Sequence, residues 1–261
     1  MNEATVQEVA DRLWKTLNEG GACDPIRDLI GIEDLDSAYA AQAINTQRKL
    51  DRGDEVLGAK IGLTSKAVQT QLGVDQPDYG ILTRSMWVDE GGSIPWNELF
   101  QPKAEAELGF VLSKDIEGPV TMDSLKDAIE SVVPSIEVVG SRIADWNIRI
   151  TDTIADNASA SHFVIGTPVE DWRSLDLVGC KMQMTRRGEV VSEGKGEACL
   201  GNPLNAALWL AQTMERLNIP LRKGYVILAG ALGPMVPVKP GDEFTAMIDG
   251  FESVSVSFDP S

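Results

Sequence analysis

Histidine and cysteine are scarce in this chain, and their scarcity removes whole classes of chemistry. The three cysteines, Cys23, Cys180 and Cys199, are odd in number, far apart and free of any C-x-x-C pair. That excludes a disulfide framework and a cysteine zinc site. They read as reduced structural thiols of a cytoplasmic protein. A Ser-His-Asp triad, a Cys-His pair or a histidine metal cluster would each have to rest on His162, the single histidine. The surrounding "ASASHFVIG" gives it no nearby partner, so it reads as a structural histidine. No apolar run is long enough to span a membrane, and no charged-then-apolar leader opens the chain. "GALGPM" matches neither the phosphate loop nor the dinucleotide fingerprint, so no nucleotide cofactor is indicated. Basic residues are outnumbered, 23 Lys and Arg against 40 Asp and Glu, for a net charge of −17. Such a chain repels nucleic acid and anionic membranes. A small anionic substrate would need a local positive centre.

What is present suffices for a sizeable core: 261 residues, 43% of them hydrophobic. Thr5 and Glu8 suggest a capping box before a helix with Val6, Val9, Leu13 and Leu17 inward, ended by Gly20-Gly21. A second helix is expected over 36–51, with Tyr39, Ala43 and Leu50 buried. These make a helical N-terminal segment, 1–55. From Val56 the texture changes to short strands and glycine-rich turns, and 56–261 is expected to be the catalytic domain. "VLGAKIGLT" reads as a strand, Ser65–Leu72 as a short helix closed by Gly73, and "DQPDYG" as a turn. A helix is expected from Thr121 to Val132, after which Pro134 introduces a strand through "SIEVVGSR". Asn202-Pro203 starts a helix running to Leu217. "GYVILAGAL", "EFTAMIDG" and "SVSVSF" alternate as strands. The class is α+β, a mixed or antiparallel sheet with helices packed around it.

Three acids could carry chemistry. In "QPKAEAELGF", strand alternation puts Lys103, Glu105 and Glu107 on one face and Ala104, Ala106 and Leu108 on the other. Glu137 lies between Ile136 and Val138, where an unpaired buried acid is costly. Two strand carboxylates and a third from another strand can cage a hard divalent cation, and magnesium keeps open positions where a substrate enters. The pair taken alone is equally a solvated strand face. Lys60, in "GAKIGLT", reads either as a surface lysine or as a buried one whose pKa falls on desolvation. Asp78 reads as a turn residue on composition.

"KIGLTSKAVQTQLGVDQPDYGIL", "QPKAEAELGFVL", "PSIEVVGSRIADW", "DTIADNASAS" and "GALGPMVPVKPGD" together resemble the 2-hydroxypenta-2,4-dienoate hydratases of aromatic meta-cleavage pathways, within the fumarylacetoacetate hydrolase superfamily. The resemblance implies a mixed, β-rich roll with an N-terminal helical portion, assembled as a homo-oligomer. It implies Glu105, Glu107 and Glu137 as ligands to Mg2+ or Mn2+, and Lys60 and Asp78 as catalytic groups that move protons. The substrate class is a small anionic 2-hydroxydienoate or 2-oxoenoate. Protonation at C5, water addition at C4 and reprotonation at C3 would yield 4-hydroxy-2-oxopentanoate. Related sequences often read S-C-G after D-N-A; here Ser159, Ala160 and Ser161 follow, which leaves no cysteine for a role there.

Three rivals accompany this reading. A 4-oxalocrotonate decarboxylase would use the same enolate chemistry and lose carbon dioxide. A C–C hydrolase of the superfamily would need a histidine dyad early in the catalytic domain, and no histidine precedes residue 162. A non-catalytic partner in a complex with a decarboxylase would not need an intact set of Lys60, Asp78 and the three glutamates.

Overall fold

The computed structural model describes residues 2–65, 69, 74 and 76–260. The expected helix at Ser65–Leu72 lies largely outside the described residues. Helix α1 (Glu3–Glu19) buries Val6, Val9, Ala10 and Leu13. It starts earlier than the Thr5/Glu8 box suggests, because the Asn2 side chain accepts from Ala4 N at 3.1 Å and caps it there. A short turn, α2 (Arg27–Ile30), precedes α3 (Leu35–Asp51), which Asp34 caps. In α3 the buried residues include Ala38, Ala41 and Gln42, whereas Tyr39 and Leu50 are half-buried and Ala43 is exposed. The face is displaced because Gln42 belongs inside. Its amide donates to the carbonyls of Tyr79 (3.0 Å) and Ile154 (2.9 Å), a pairing that apolar periodicity cannot register.

Among the described residues, seven strands form the larger sheet: β1 (Val56–Gly62), β2 (Asp78–Thr83), β4 (Lys103–Leu112), β5 (Ile129–Val139), β6 (Ala160–Ile165), β9 (Val226–Ala231) and β10 (Val236–Pro237). Their order is β2-β1-β9-β4-β5-β6, with β10 beside β4. β1 and β9 run parallel and the other pairs antiparallel, so the sheet is mixed. β3 (Ser93–Ile94), β7 (Lys181–Arg186), β8 (Glu189–Lys195), β11 (Glu243–Ile248) and β12 (Val254–Phe258) form a second sheet. Leu82, Val133, Phe163 and Leu228, from β2, β5, β6 and β9, pack in one buried cluster. Strands so far apart in the order meet only if the sheet rolls up with these side chains inside. The outer face, with Ala106, Leu108, Phe110 and Ile136, packs against Phe244 and Val256 of the second sheet and Leu210 of a helix at Pro203–Leu217.

The expected helix at Thr121–Val132 is a correction. Helix α4 (Met122–Ala128), capped by Thr121, gives way to β5 at Ile129. Leu125, Ala128, Ile129 and Val132 fit a helical stripe, but the β-branched run from Ile129 pairs with β4 along its length. Pro134 therefore lies within the strand, and its carbonyl accepts from Gly166 N (2.8 Å) just past the end of β6. Helix α5 (Ile150–Ala155), strand β6 and the β7-β8 hairpin had no separate expectation. Helix α6 is the expected Pro203–Leu217, capped by Asn202.

The N-terminal helices share their core with the later chain, since Val9, Leu13 and Ala41 cluster with Ile143, Ile150 and Ile154. Asp152, fully buried, fastens this junction. Its carboxylate accepts from Ile26 N (2.9 Å), Arg27 N (3.0 Å) and Arg149 N (2.8 Å) and pairs with the Arg27 guanidinium. Asp152→Ala is expected to cost roughly 3–5 kcal/mol, because it leaves three backbone donors unpaired and removes the buried partner of the half-buried Arg27. Chemical denaturation measures this as a lower midpoint with unchanged slope.

Candidate active site

Strands β4 and β5 set Glu105 directly opposite Glu137, and Glu107 opposite Ser135. The same alternation continues to Gly109 and Val133 on the inner face, so the acids point into the roll rather than to water. Glu107 and Glu137 are wholly buried and Glu105 is 8% exposed, which excludes the solvated-face reading. One carboxylate oxygen from each of the three lies within 4.8 Å of the others.

The positive group opposite them is Lys60, on β1 and 3% exposed. Its Nζ is 3.2 Å from Glu137 Oε2 and donates to the Ala158 carbonyl at 3.2 Å. Lys103, expected on the same face, instead lies over the Trp146 ring at 4.0 Å. Asp78 is no turn residue. It is the first residue of β2, paired with Gly62 of β1, and is buried. A Cβ on Gly62 would overlap Asp78 Oδ1 and lie 3.5 Å from Lys60 Nζ, so the glycine makes room for both groups. Lys60, Asp78, Glu105, Glu107 and Glu137 thus come together in one inner wall. His162 does not join them. It lines a separate cavity of about 510 Å3 beside α1 and α3, with Nδ1 2.9 Å from Ser161 Oγ and Nε2 3.4 Å from Glu98.

The electrostatics are those of an overfilled acidic site. Burial, then Glu137, raises Glu105 to about 7; burial, then Glu137 and Glu105, lifts Glu107 well above the ordinary range. Burial also raises Glu137 despite Lys60, and raises Asp78 to about 6. Desolvation alone would lower Lys60, as expected for a buried lysine. The facing acids, Glu137 foremost, outweigh it and raise its pKa, so the lysine is an ammonium. Glu107 Oε2 accepts from Gly230 N at 2.9 Å and Glu137 Oε2 has its ion pair with Lys60, but among the described residues Glu107 Oε1, both Glu137 oxygens and both Asp78 oxygens find no hydrogen-bond donor. Such orphaned oxygens are rare in a folded interior. Hard carboxylate donors converging on one point match the ligand set of a small divalent cation.

Several contributors were invisible in the sequence: the Gly230 amide, the Ala158 carbonyl, and Cys199, whose thiol is raised by burial and by Glu107. Backbone groups carry no residue signature.

Residues 50–257 match the family described as fumarylacetoacetate (FAA) hydrolase C-terminal. The chain belongs to the fumarylacetoacetate hydrolase family. Within it, the chain is 51% identical over 255 residues to 2-keto-4-pentenoate hydratase of Paraburkholderia xenovorans, covering 97% of this chain and 94% of the relative. It is 41% identical to 2-hydroxyhexa-2,4-dienoate hydratase of Comamonas testosteroni, covering 97% of both. Among solved structures, 4-oxalocrotonate decarboxylase from Pseudomonas putida G7, complexed with magnesium and adipate, superposes with a TM-score of 0.93 at 31% identity, covering 99% of this chain and 98% of that one. No helix among the described residues is long and apolar enough to cross a membrane.

Proposed function

We propose that this chain is a hydro-lyase that adds water to 2-hydroxypenta-2,4-dienoate, giving 4-hydroxy-2-oxopentanoate, in aromatic meta-cleavage catabolism. The observation that carries the reading is the buried wall of Lys60, Asp78, Glu105, Glu107 and Glu137 in a chain about half identical to hydratases over nearly its whole length. Glu105, Glu107 and Glu137 would hold Mg2+ or Mn2+, since one oxygen of each converges within 4.8 Å and the unpartnered oxygens of Glu107 and Glu137 suit a hard cation. When bound, the ion supplies Lewis-acid stabilisation of the negative charge that develops on the substrate oxygen.

The remaining work falls to this chain's own groups. Lys60 presents a fixed ammonium toward the inner wall, a donor and a positive centre for an anionic substrate in a protein of net charge −17. Lys60 and Asp78 hold and move the protons: C5 and C3 each gain one, and the C2 enol hydroxyl and the attacking water each lose one. Burial of the wall keeps bulk water from competing with the one molecule that adds at C4. Residues 56–261 form the catalytic unit in this reading, with 1–55 packed upon it, in a cytoplasmic homo-oligomer open to complex formation with a decarboxylase.

The decarboxylase reading has its own support in the 0.93 superposition. Product analysis separates the two. Incubation with 2-hydroxypenta-2,4-dienoate should yield a species heavier by one water, and 4-oxalocrotonate should release no carbon dioxide. Carbon dioxide release without hydration would make the chain a decarboxylase.

A stability measurement tests the cation independently of turnover. At a free ion concentration about a hundredfold above Kd, binding adds roughly 2.7 kcal/mol, or about 5–10 °C in Tm for a chain of this size. Chelator-stripped protein should melt that much lower, and Mg2+ or Mn2+ should restore it. No shift with either ion would contradict the assignment.

A further inference from the structure

Asn157, Ala158 and Ser159 have φ values of 56°, 49° and 57°. Three consecutive left-handed residues, none of them glycine, persist only where their surroundings over-determine them. Two side chains do so. Arg142, buried, donates from its backbone N to Asp156 Oδ2 at 2.9 Å and from Nε to Asp156 Oδ1. Its remaining nitrogens reach the carbonyls of Asp156 (2.6 Å) and Ala160 (3.3 Å), so one guanidinium grips both ends of the left-handed run. Asn157 grips the middle. Its Oδ1 accepts from Ile81 N at 2.8 Å and its Nδ2 donates to Ile81 O at 2.9 Å, imitating a strand neighbour along β2. The run lies against β2 at Gly80, where a Cβ would overlap the Asn157 carbonyl.

Gly80 is the register partner of Lys60. The run therefore delivers one polar atom to the inner wall, the Ala158 carbonyl oxygen, 3.2 Å from Lys60 Nζ. A carbonyl accepts a proton without adding charge to a site already crowded with acids. The Ala158 carbonyl fixes one N–H direction of the ammonium while Glu137 holds it by charge at 3.2 Å, so donors remain for a substrate.

We propose that Arg142, Asp156 and Asn157 are positioning residues that strap the Ala158 carbonyl onto Lys60 and so aim its ammonium for proton transfer. The catalytic consequence rests on the hydratase reading above; the placement of Lys60 does not.

Asn157→Gly keeps the left-handed backbone accessible and removes the amide grip. Arg142→Lys keeps the charge facing Asp156 and removes the fork that spans two carbonyls. Each should lower kcat roughly tenfold to a hundredfold, the scale of a misplaced catalytic group, while KM and the affinity for Mg2+ stay within about twofold. The double variant should lose little more than the worse single one, because both act through one carbonyl. Reductive methylation of the purified enzyme, mapped by mass, should modify Lys60 at least about fivefold faster in each variant. A merely structural role would lower yield and Tm but leave kcat per folded molecule and Lys60 labelling at wild-type values, and that result overturns the proposal. Should Asn157→Gly not fold, Arg142→Lys is read the same way. If the wild-type protein hydrates no dienoate, the hydratase reading falls, and the labelling rates still decide whether the strap holds Lys60.

Discussion

Glu107→Gln should abolish turnover, with kcat down by roughly 10³-fold or more, since a Lewis acid worth several kcal/mol is lost. Glu107 is the most informative of the three acids because it is wholly buried and β4 places it between β5 and β9. The fold should survive. Glutamine keeps the volume, and its carbonyl oxygen can accept from Gly230 N, which now donates to Glu107 Oε2 at 2.9 Å. Removing one of several crowded carboxylates should raise the Tm of the metal-free protein, because the cost of burying like charges falls. The same substitution should erase the Tm gain produced by Mg2+. Thermal melts with and without the ion read both signs at once. Wild-type activity together with an intact Mg2+ shift would show the cation site to be elsewhere.

Lys60→Met should give the opposite pattern. It removes the cation facing Glu137 and Asp78 but leaves the ligand carboxylates in place. The kcat should fall roughly 10²- to 10⁴-fold, the range for loss of a positioned proton donor. Affinity for the divalent ion should hold or tighten, since a neighbouring positive charge is gone. Without the ion, the protein should lose about 3–5 kcal/mol, the cost of removing one partner of a buried pair. Steady-state kinetics and metal titration of the one variant separate these effects. Weakened metal binding with unchanged kcat would exclude Lys60 from proton transfer.

These opposite signs follow from a site that was partly legible in the chain. Alternation alone put Glu105 and Glu107 on one face, and apolar neighbours marked Glu137 as costly if buried. Neither told whether that face met water, because the rolling of the sheet depends on contacts between β2, β5, β6 and β9. Asp78 was misread as a turn residue because proline and glycine flank it. Gly80 in fact serves close approach of the Asn157 backbone rather than a bend. Lys60 was expected to lose its proton more readily on burial, and desolvation does act that way; the neighbouring acids decide the outcome. The helix at Met122 ended early for a related reason, since the stripe continuing to Val132 serves equally well as a strand once a partner lies alongside. Non-local pairing was the missing information in each case.

The central question is whether the three glutamates and their cation carry the hydration. Freshly generated 2-hydroxypenta-2,4-dienoate, supplied to chelator-stripped protein and titrated with Mg2+, answers it through loss of the dienoate's ultraviolet absorbance. The expected result is negligible turnover without the ion, saturable recovery on titration, and a product one water heavier than the substrate. Hydration that proceeds at full rate in the presence of chelator would contradict it.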